Sequence, residues 1–212
     1  MIFDLKKLKQ SVIDGDAAGA LELTKQALAE HVPLDVLINQ GLIAAMSVVG
    51  KLFEEGEFFI PEMLVAARAM QSCMDILKPL LSNSEVKPLA TVVLGTVKGD
   101  MHDIGKNLVR MMLQGAGLEV VDLGTDVAPE KFIQAIHEHG AKLVGLSALL
   151  TTTMTSMGAI IEAIEQAGLR DRVKVMVGGA PVTESFARQI KADGYAPDAS
   201  RATNLAKSLL GL

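Results

Sequence analysis

Residues 89–123, LATVVLGTVKGDMHDIGKNLVRMMLQGAGLEVVDL, decide the fold. They open on a β-rich apolar run (89–95) and pass through a loop bearing glycine, aspartate and histidine. Helical periodicity follows over 104–115, and a second β-rich run closes the stretch at 118–123. Strand, helix and strand in this order read as one βαβ unit, which sets its two strands parallel. The alternation continues downstream. Further β-rich runs lie at 142–147 and 173–177, and helical patterns lie at 129–139 and 154–168. The last piece, 183–212, adds a helix, a poor short strand near Gly194–Ala196 and a closing helix. Five strands with intervening helices predict an α/β domain built on a parallel sheet.

Upstream the period is helical throughout. Leu5, Leu8, Val12 and Ile13 mark a first segment (4–14), and Ala20, Leu21 and Leu28 a second (17–30). Leu37, Leu42, Met46, Val49, Leu52 and Phe53 mark a third over 34–55. Pro61 sits where a first helical turn tolerates it, and Met63, Ala66, Ala67, Met70, Met74 and Leu77 follow. Four such segments with short connections predict an N-terminal four-helix bundle. The polar stretch at 82–88, SNSEVKP, reads as a break between the two patterns. The predicted organisation is therefore a helical cap over 1–82, a linker over 83–88 and an α/β domain over 89–212. The strand–helix alternation fits a flavodoxin-like or Rossmann-like five-stranded parallel sheet.

Composition narrows the function. The chain has 212 residues, 50% apolar and 21% charged, with a net charge of −5. That balance is globular and offers no fold-wide basic footprint for nucleic acid. Aromatic residues make up 3%, too few for a base-stacking surface. Cys73 is the only cysteine, which excludes an internal disulfide and suits a reducing, cytoplasmic setting. No apolar run is expected to reach the length of a membrane span, and the N-terminus lacks the features of a signal peptide.

In an open parallel sheet, ligands bind beyond the carboxyl ends of the strands, where strand order reverses. Three loops leave strand ends with unusual residues: Gly99-Asp100-Met101-His102-Asp103-Ile104-Gly105, Ser147-Ala148-Leu149-Leu150-Thr151-Thr152-Thr153, and Gly178-Gly179-Ala180-Pro181. A flavodoxin-like strand order would bring these loops together. An imidazole at a strand end is a good transition-metal ligand, and Asp100 is placed to bond its far nitrogen. One histidine is too few donors for zinc, and no CxxC or HExxH is present. A metal needing a single protein ligand must bring the others in a macrocycle, which points to a haem or a corrin with His102 axial. The plainer roles remain helix capping for Asp100, His102 and the hydroxyls, and a tight turn for the glycines. His137 and His139 fit a helix C-terminus better than a metal site, and Cys73 fits an apolar core.

With these motifs in view, the sequence resembles the cobalamin-binding module of corrinoid proteins and of methionine synthase. The family pattern Asp-x-His-x-x-Gly, Ser-x-Leu and Gly-Gly reads here as Asp100-Met101-His102-Asp103-Ile104-Gly105, Ser147-Ala148-Leu149 and Gly178-Gly179. Gly56-Glu57-Phe58-Phe59-Ile60-Pro61 is similar to the Gly-x-x-Phe-Leu-Pro segment of the family's helical cap. The resemblance covers nearly the whole chain.

It implies cobalamin or a related corrinoid bound base-off and His-on, with His102 the lower axial ligand of cobalt. Asp100 would bond the far nitrogen of His102. Thr153 would continue that relay where the family has serine. Ser147 and Thr151 would contact the nucleotide tail, and Gly105, Gly178 and Gly179 would leave room for it. Met101, Asp103, Ile104 and Leu149 belong to the same cofactor-binding loops. Phe59 and Met63 are the expected upper-face lid, with Phe53 and Phe58 read as bundle core.

The implied role is a corrinoid methyl carrier that is not catalytic alone. It would accept a methyl group on Co(I) from a substrate-specific methyltransferase. Methyl-Co(III) would then yield it to an acceptor methyltransferase acting on tetrahydrofolate or coenzyme M. A reductive activator is the third implied partner; nucleic acid and membrane are not expected. The competing implication is a cobalamin-sensing regulatory module, and sensors of that kind usually add an output domain. The methyl donor is not specified by the sequence.

Overall fold

The computed structural model describes residues 3–81 and 88–212. The expected linker at 83–88 falls outside these residues except for Pro88, as does the last residue of the expected cap. The helices before Pro88 form one compact unit, and a second comprises Leu89–Gln114 and Leu118–Leu212.

In the helical unit, α1 (Leu5–Ile13) and α2 (Ala17–Ala29) begin at Asp4 and Asp16. The two carboxylates accept the amides of Lys6 and Gly19, satisfying donors that a helix start leaves unpaired. The third segment departs from the expected uniform α-helix. Val36–Ile43 is π-helical and leads without a break into α3 (Ala44–Glu54). Gly41 lies in this stretch, where an added Cβ would come within 3.2 Å of Leu8 Cδ2, so its small size matches the close approach of α1.

The expectation that no apolar run reaches the length of a membrane span does not hold for this segment. Val36–Glu54 is a 19-residue apolar stretch with mean hydropathy 1.6, long and apolar enough to span a membrane on those two measures. Its interspersed Asn39, Gln40, Ser47 and Lys51 disguise this in a residue-by-residue reading. In the protein it packs against α1 and the fourth helix, α4 (Ile60–Leu81), with Leu37, Leu42, Ala45 and Val49 fully buried, as a bundle's core helix does. Helix α4 (Ile60–Leu81) starts with Pro61 in its first turn. Glu62 reaches back to accept the Phe59 amide at 2.9 Å, one half of a capping box.

The second unit is a five-stranded, all-parallel sheet. Its strands are β1 (Thr91–Thr96), β2 (Glu119–Asp122), β3 (Leu143–Ser147), β4 (Lys174–Gly178) and β5 (Gly194–Ala196). Their order is β2-β1-β3-β4-β5, the flavodoxin-like order. Helices α5 (Ile104–Gly115), α6 (Pro129–His139), α7 (Thr155–Gln166), α8 (Glu184–Gln189) and α9 (Ala199–Leu210) connect and follow the strands.

Period-two alternation divides the strand residues between the two faces. Val93, Val144, Leu146, Val175 and Val177 join Phe132, Ile136, Met157, Ile160 and Ile164 of α6 and α7. On the other face, Val92, Leu143 and Met176 join Leu113 of α5 and Ala206 of α9. Both faces are thus covered, which explains strands that read as continuous apolar runs. Thr96 pairs with Ser147, and Ser147 with Gly178. The three motif-bearing loops therefore leave the sheet at one level, on either side of the β1/β3 switch point.

Candidate functional site

The loop between β1 and α5 carries His102, and three residues shape it. Thr96, fully buried at the end of β1, donates its hydroxyl to the His102 carbonyl at 2.9 Å. Gly99 turns the chain at φ +86, a conformation that favours glycine. Asp100 follows with its side chain fully buried.

One Asp100 oxygen, Oδ1, accepts the His102 amide at 3.1 Å and faces His102 Nδ1 at 2.7 Å. The other, Oδ2, accepts the Thr153 hydroxyl at 2.7 Å, the Leu149 amide at 2.7 Å and the Leu150 amide at 3.3 Å. This one carboxylate therefore ties the β1–α5 loop to the β3–α7 loop. Burial by itself would raise the Asp100 pKa. The Thr153 hydroxyl, the Leu149 and His102 amides and the His102 ring outweigh it, and the carboxyl is held well below the usual carboxylate range.

An ionised carboxylate accepts hydrogen bonds only, so Nδ1 of His102 must carry the ring proton. In the neutral ring the lone pair is then on Nε2. Among the described residues no group bonds Nε2, and the His102 side chain is half exposed. The apolar side chains of Met101 and Ile104 beside it are 70% and 78% exposed, and Leu149 and Leu150 on the facing loop are each 43% exposed. A basic nitrogen set among exposed apolar side chains suits a large, flat, hydrophobic ligand with an electrophilic centre.

Beside this surface lies a cavity of about 130 Å³, walled by Leu94, Gly145, Ser147, Gly178, Gly179 and Gly105 with residues of α5, β4 and the β5–α9 loop. Two glycines define its shape. An added Cβ on Gly105 would meet no atom within 4 Å, so any larger side chain there would project into open space. Gly179, at φ +130, lies against the Ala148 carbonyl with no room for a Cβ.

Lys106 also lines the cavity and is 2% exposed. Its ammonium lies 2.6 Å from both oxygens of Asp122 at the end of β2 and 3.1 Å from Asn107 Oδ1. Arg110 approaches the same carboxylate at 3.7 Å.

The remaining expected site residues are placed as follows. Asp103 immediately precedes α5 and accepts the Asn107 side-chain amide at 2.9 Å. Thr151 is exposed on the turn after β3 and is not part of the cavity wall. Phe59 and Met63 belong to the helical unit, Phe59 64% exposed and Met63 2%. Thr96, Lys106 and Asp122 were not anticipated. Their only sequence signal is a polar residue at the carboxyl end of an apolar strand, or a lysine next to the motif glycine. The cavity wall from Pro197, Asp198 and Ala202 was likewise missed. Among the described residues no three or more His, Cys, Asp or Glu side chains converge to hold a bare metal ion. The donor set thus fits a metal that arrives in a macrocycle, with the glycine-walled cavity available for an appended tail.

A flavodoxin-order sheet with an outward imidazole at its switch point has the geometry of a ligand-binding α/β module. Comparison with known proteins specifies the family. The B12 binding domain family matches residues 90–203, and a second B12 binding domain family matches residues 4–78; the chain belongs to this family of corrinoid-binding proteins. It is 43% identical to a corrinoid protein of Desulfitobacterium hafniense over 98% of this chain and 97% of that protein. It is 46% identical to dimethylamine corrinoid protein 3 of Methanosarcina acetivorans over 97% of this chain and 96% of that one. Among solved structures, it is similar to a chain of the methanol:cobalamin methyltransferase complex MtaBC of Methanosarcina barkeri. The TM-score there is 0.88 at 29% identity, covering 98% of this chain and 79% of that one.

Proposed function

We propose that this chain is the methyl-carrying corrinoid subunit of a multi-component methyltransferase system. It receives a methyl group from a substrate-specific methyltransferase and passes it to a second methyltransferase serving tetrahydrofolate or coenzyme M. The observation that carries this reading is the His102–Asp100–Thr153 hydrogen-bonded chain on loops that also wall a glycine-lined cavity through Gly105 and Ser147. Relatives named as corrinoid proteins for dimethylamine and trimethylamine support it.

When bound, the corrinoid supplies a cobalt centre able to exchange a methyl group with substrates held by partner enzymes. The chain's own residues bind, orient and protect. His102 would hold the cobalt through Nε2, in place of the cofactor's own base. Asp100 keeps the ring proton on Nδ1 and fixes the ring's orientation, as the partners of metal-bound histidines generally do. Thr153 orients Asp100.

Gly105, Ser147, Gly178 and Gly179 receive the nucleotide tail, with Thr151 at its approach. Met101, Asp103, Ile104 and Leu149 would border the bound ring and help keep water from it. Phe59 and Met63 of the helical unit would serve as the lid if that unit covers the cofactor, and Phe59 is the more exposed of the two. A reductive activator completes the set of partners, and such chemistry suits a cytoplasmic setting.

The test is a transfer assay. The protein is reconstituted with hydroxocobalamin, reduced, and mixed with methylamine- or methanol-specific methyltransferases and their substrates. Growth of the methylated-corrinoid absorbance with one partner supports the carrier role. Retained corrinoid with no exchange with any partner rejects it and favours the sensing module.

A further inference from the structure

The β2–α6 loop holds a non-glycine residue in the left-handed region. Asp126 has φ +54, a conformation that costs energy for most side chains and is tolerated best by asparagine and aspartate. Its carboxylate and its amide are both committed to the histidine loop. Its carboxylate Oδ1 accepts the Gly99 amide at 2.7 Å, and its own amide donates to the Asp100 carbonyl at 2.9 Å.

The loop bearing Asp126 is itself anchored to β1. Thr96 N donates to the Gly124 carbonyl at 2.9 Å, and Val127 N to the Thr96 carbonyl at 3.0 Å. The Asp100 side chain is thus held from the β3–α7 loop, while its main chain is held from the opposite side by Asp126. Gly99, at φ +86, is the flexible point between them. Released from Asp126, Gly99 gains backbone freedom, and the direction of the Asp100 carboxylate loses one of its two supports. A strained residue whose carboxylate and amide both meet the ligand-bearing loop is better explained by that loop than by its own turn.

We propose that Asp126 is a positioning residue for the cofactor ligand: by fixing the Gly99–Asp100 main chain, it sets the orientation of His102 and so the retention of the corrinoid. The proposal rests on His102 being the axial ligand.

Three proteins decide it: Asp126→Gly, Asp126→Asn and His102→Ala. Glycine keeps the left-handed backbone without strain and removes only the carboxylate, so this exposed site is not asked to unfold. Asparagine keeps an acceptor oxygen. In the unloaded protein, amide hydrogen exchange at Gly99 is expected to quicken about five- to tenfold in Asp126→Gly, the scale of one lost hydrogen bond at an exposed site. In the cobalamin-loaded protein, the Co(II) electron paramagnetic resonance spectrum is expected to lose part of its imidazole-ligated fraction. Corrinoid loss on desalting should quicken by a similar factor. Asp126→Asn should stay within about twofold of wild type in each measurement. A wild-type ligated fraction and loss rate in Asp126→Gly, beside an altered His102→Ala spectrum, overturns the positioning role alone. An unaltered His102→Ala spectrum overturns the ligation reading and this role with it.

Discussion

Asp100→Asn is the most informative single substitution, because volume is kept and only charge and donor pattern change. The carboxylate accepts five donors: the His102 and Leu149 amides, the Leu150 amide, the Thr153 hydroxyl and the His102 ring. An amide cannot satisfy them all. If its NH₂ takes the Oδ2 place, it opposes the Leu149 and Leu150 amides. If it takes the Oδ1 place, it opposes the His102 amide and relaxes only if Nδ1 becomes an acceptor. The ring proton then moves to Nε2, and the lone pair needed for cobalt is lost.

Either outcome weakens binding. Loss of the partner of a metal-bound histidine typically lowers metal affinity about 10- to 100-fold, and that range is expected for retained corrinoid. Apo stability should fall by about 2–4 kcal/mol, since two or more buried charge-assisted hydrogen bonds are lost.

The pH dependence has a definite sign. The folded-state pKa of Asp100 lies below the ordinary value of about 3.9, so its stabilisation is complete above that value and is lost as pH falls through the folded-state value. The wild-type advantage over Asp100→Asn should be full at neutral pH and shrink below about pH 4. Urea unfolding across pH measures this, and the absorption spectrum after hydroxocobalamin reconstitution and desalting measures corrinoid retention. Wild-type retention, spectrum and acid response in a folded Asp100→Asn would refute the reasoning.

Other substitutions separate the cavity from the framework. Gly105→Leu places a side chain in open space on a helix, so apo stability should change by less than about 1 kcal/mol while cobalamin retention is lost; circular dichroism and gel filtration with corrinoid absorbance check both. Gly179→Ala drives a Cβ into the Ala148 carbonyl at a positive φ, and chemical denaturation should show a loss of at least about 2 kcal/mol. Asp122→Ala leaves the buried Lys106 ammonium without its carboxylate and should cost about 3–5 kcal/mol in the same assay, most of it recovered when Lys106→Met is added.

The sheet was legible in the sequence because β1, β3 and β4 are covered on both faces and read as unbroken valine- and leucine-rich runs. Even three-residue β5 was found from its place between two helical patterns. The π-helical Val36–Ile43 was not legible, since hydrophobic spacing does not distinguish it from an α-helix over two turns. The same segment's length and apolarity were underread because small and polar residues interrupt it.

At the site, residues carried by the three motifs could be found, with His102 and Asp100 only two positions apart. Thr153, 53 positions from Asp100, depended on family resemblance, because nothing local connects a hydroxyl on one loop to a carboxylate on another. Lys106 was passed over although it adjoins Gly105, because its meaning comes from Asp122 on a different strand. Asp126 reads as an ordinary loop aspartate until its φ and its two contacts are known.

The central claim is that His102 ligates the cobalt of the bound corrinoid, and one measurement meets it directly. The protein is loaded with cobalamin, poised as Co(II), and examined by electron paramagnetic resonance with natural-abundance and ¹⁵N-labelled histidine, with His102→Ala alongside. The account predicts that the ligand-nitrogen triplet becomes a doublet on labelling and that the histidine coupling is absent in His102→Ala. A coupling that ignores the label, or survives the substitution, would contradict it.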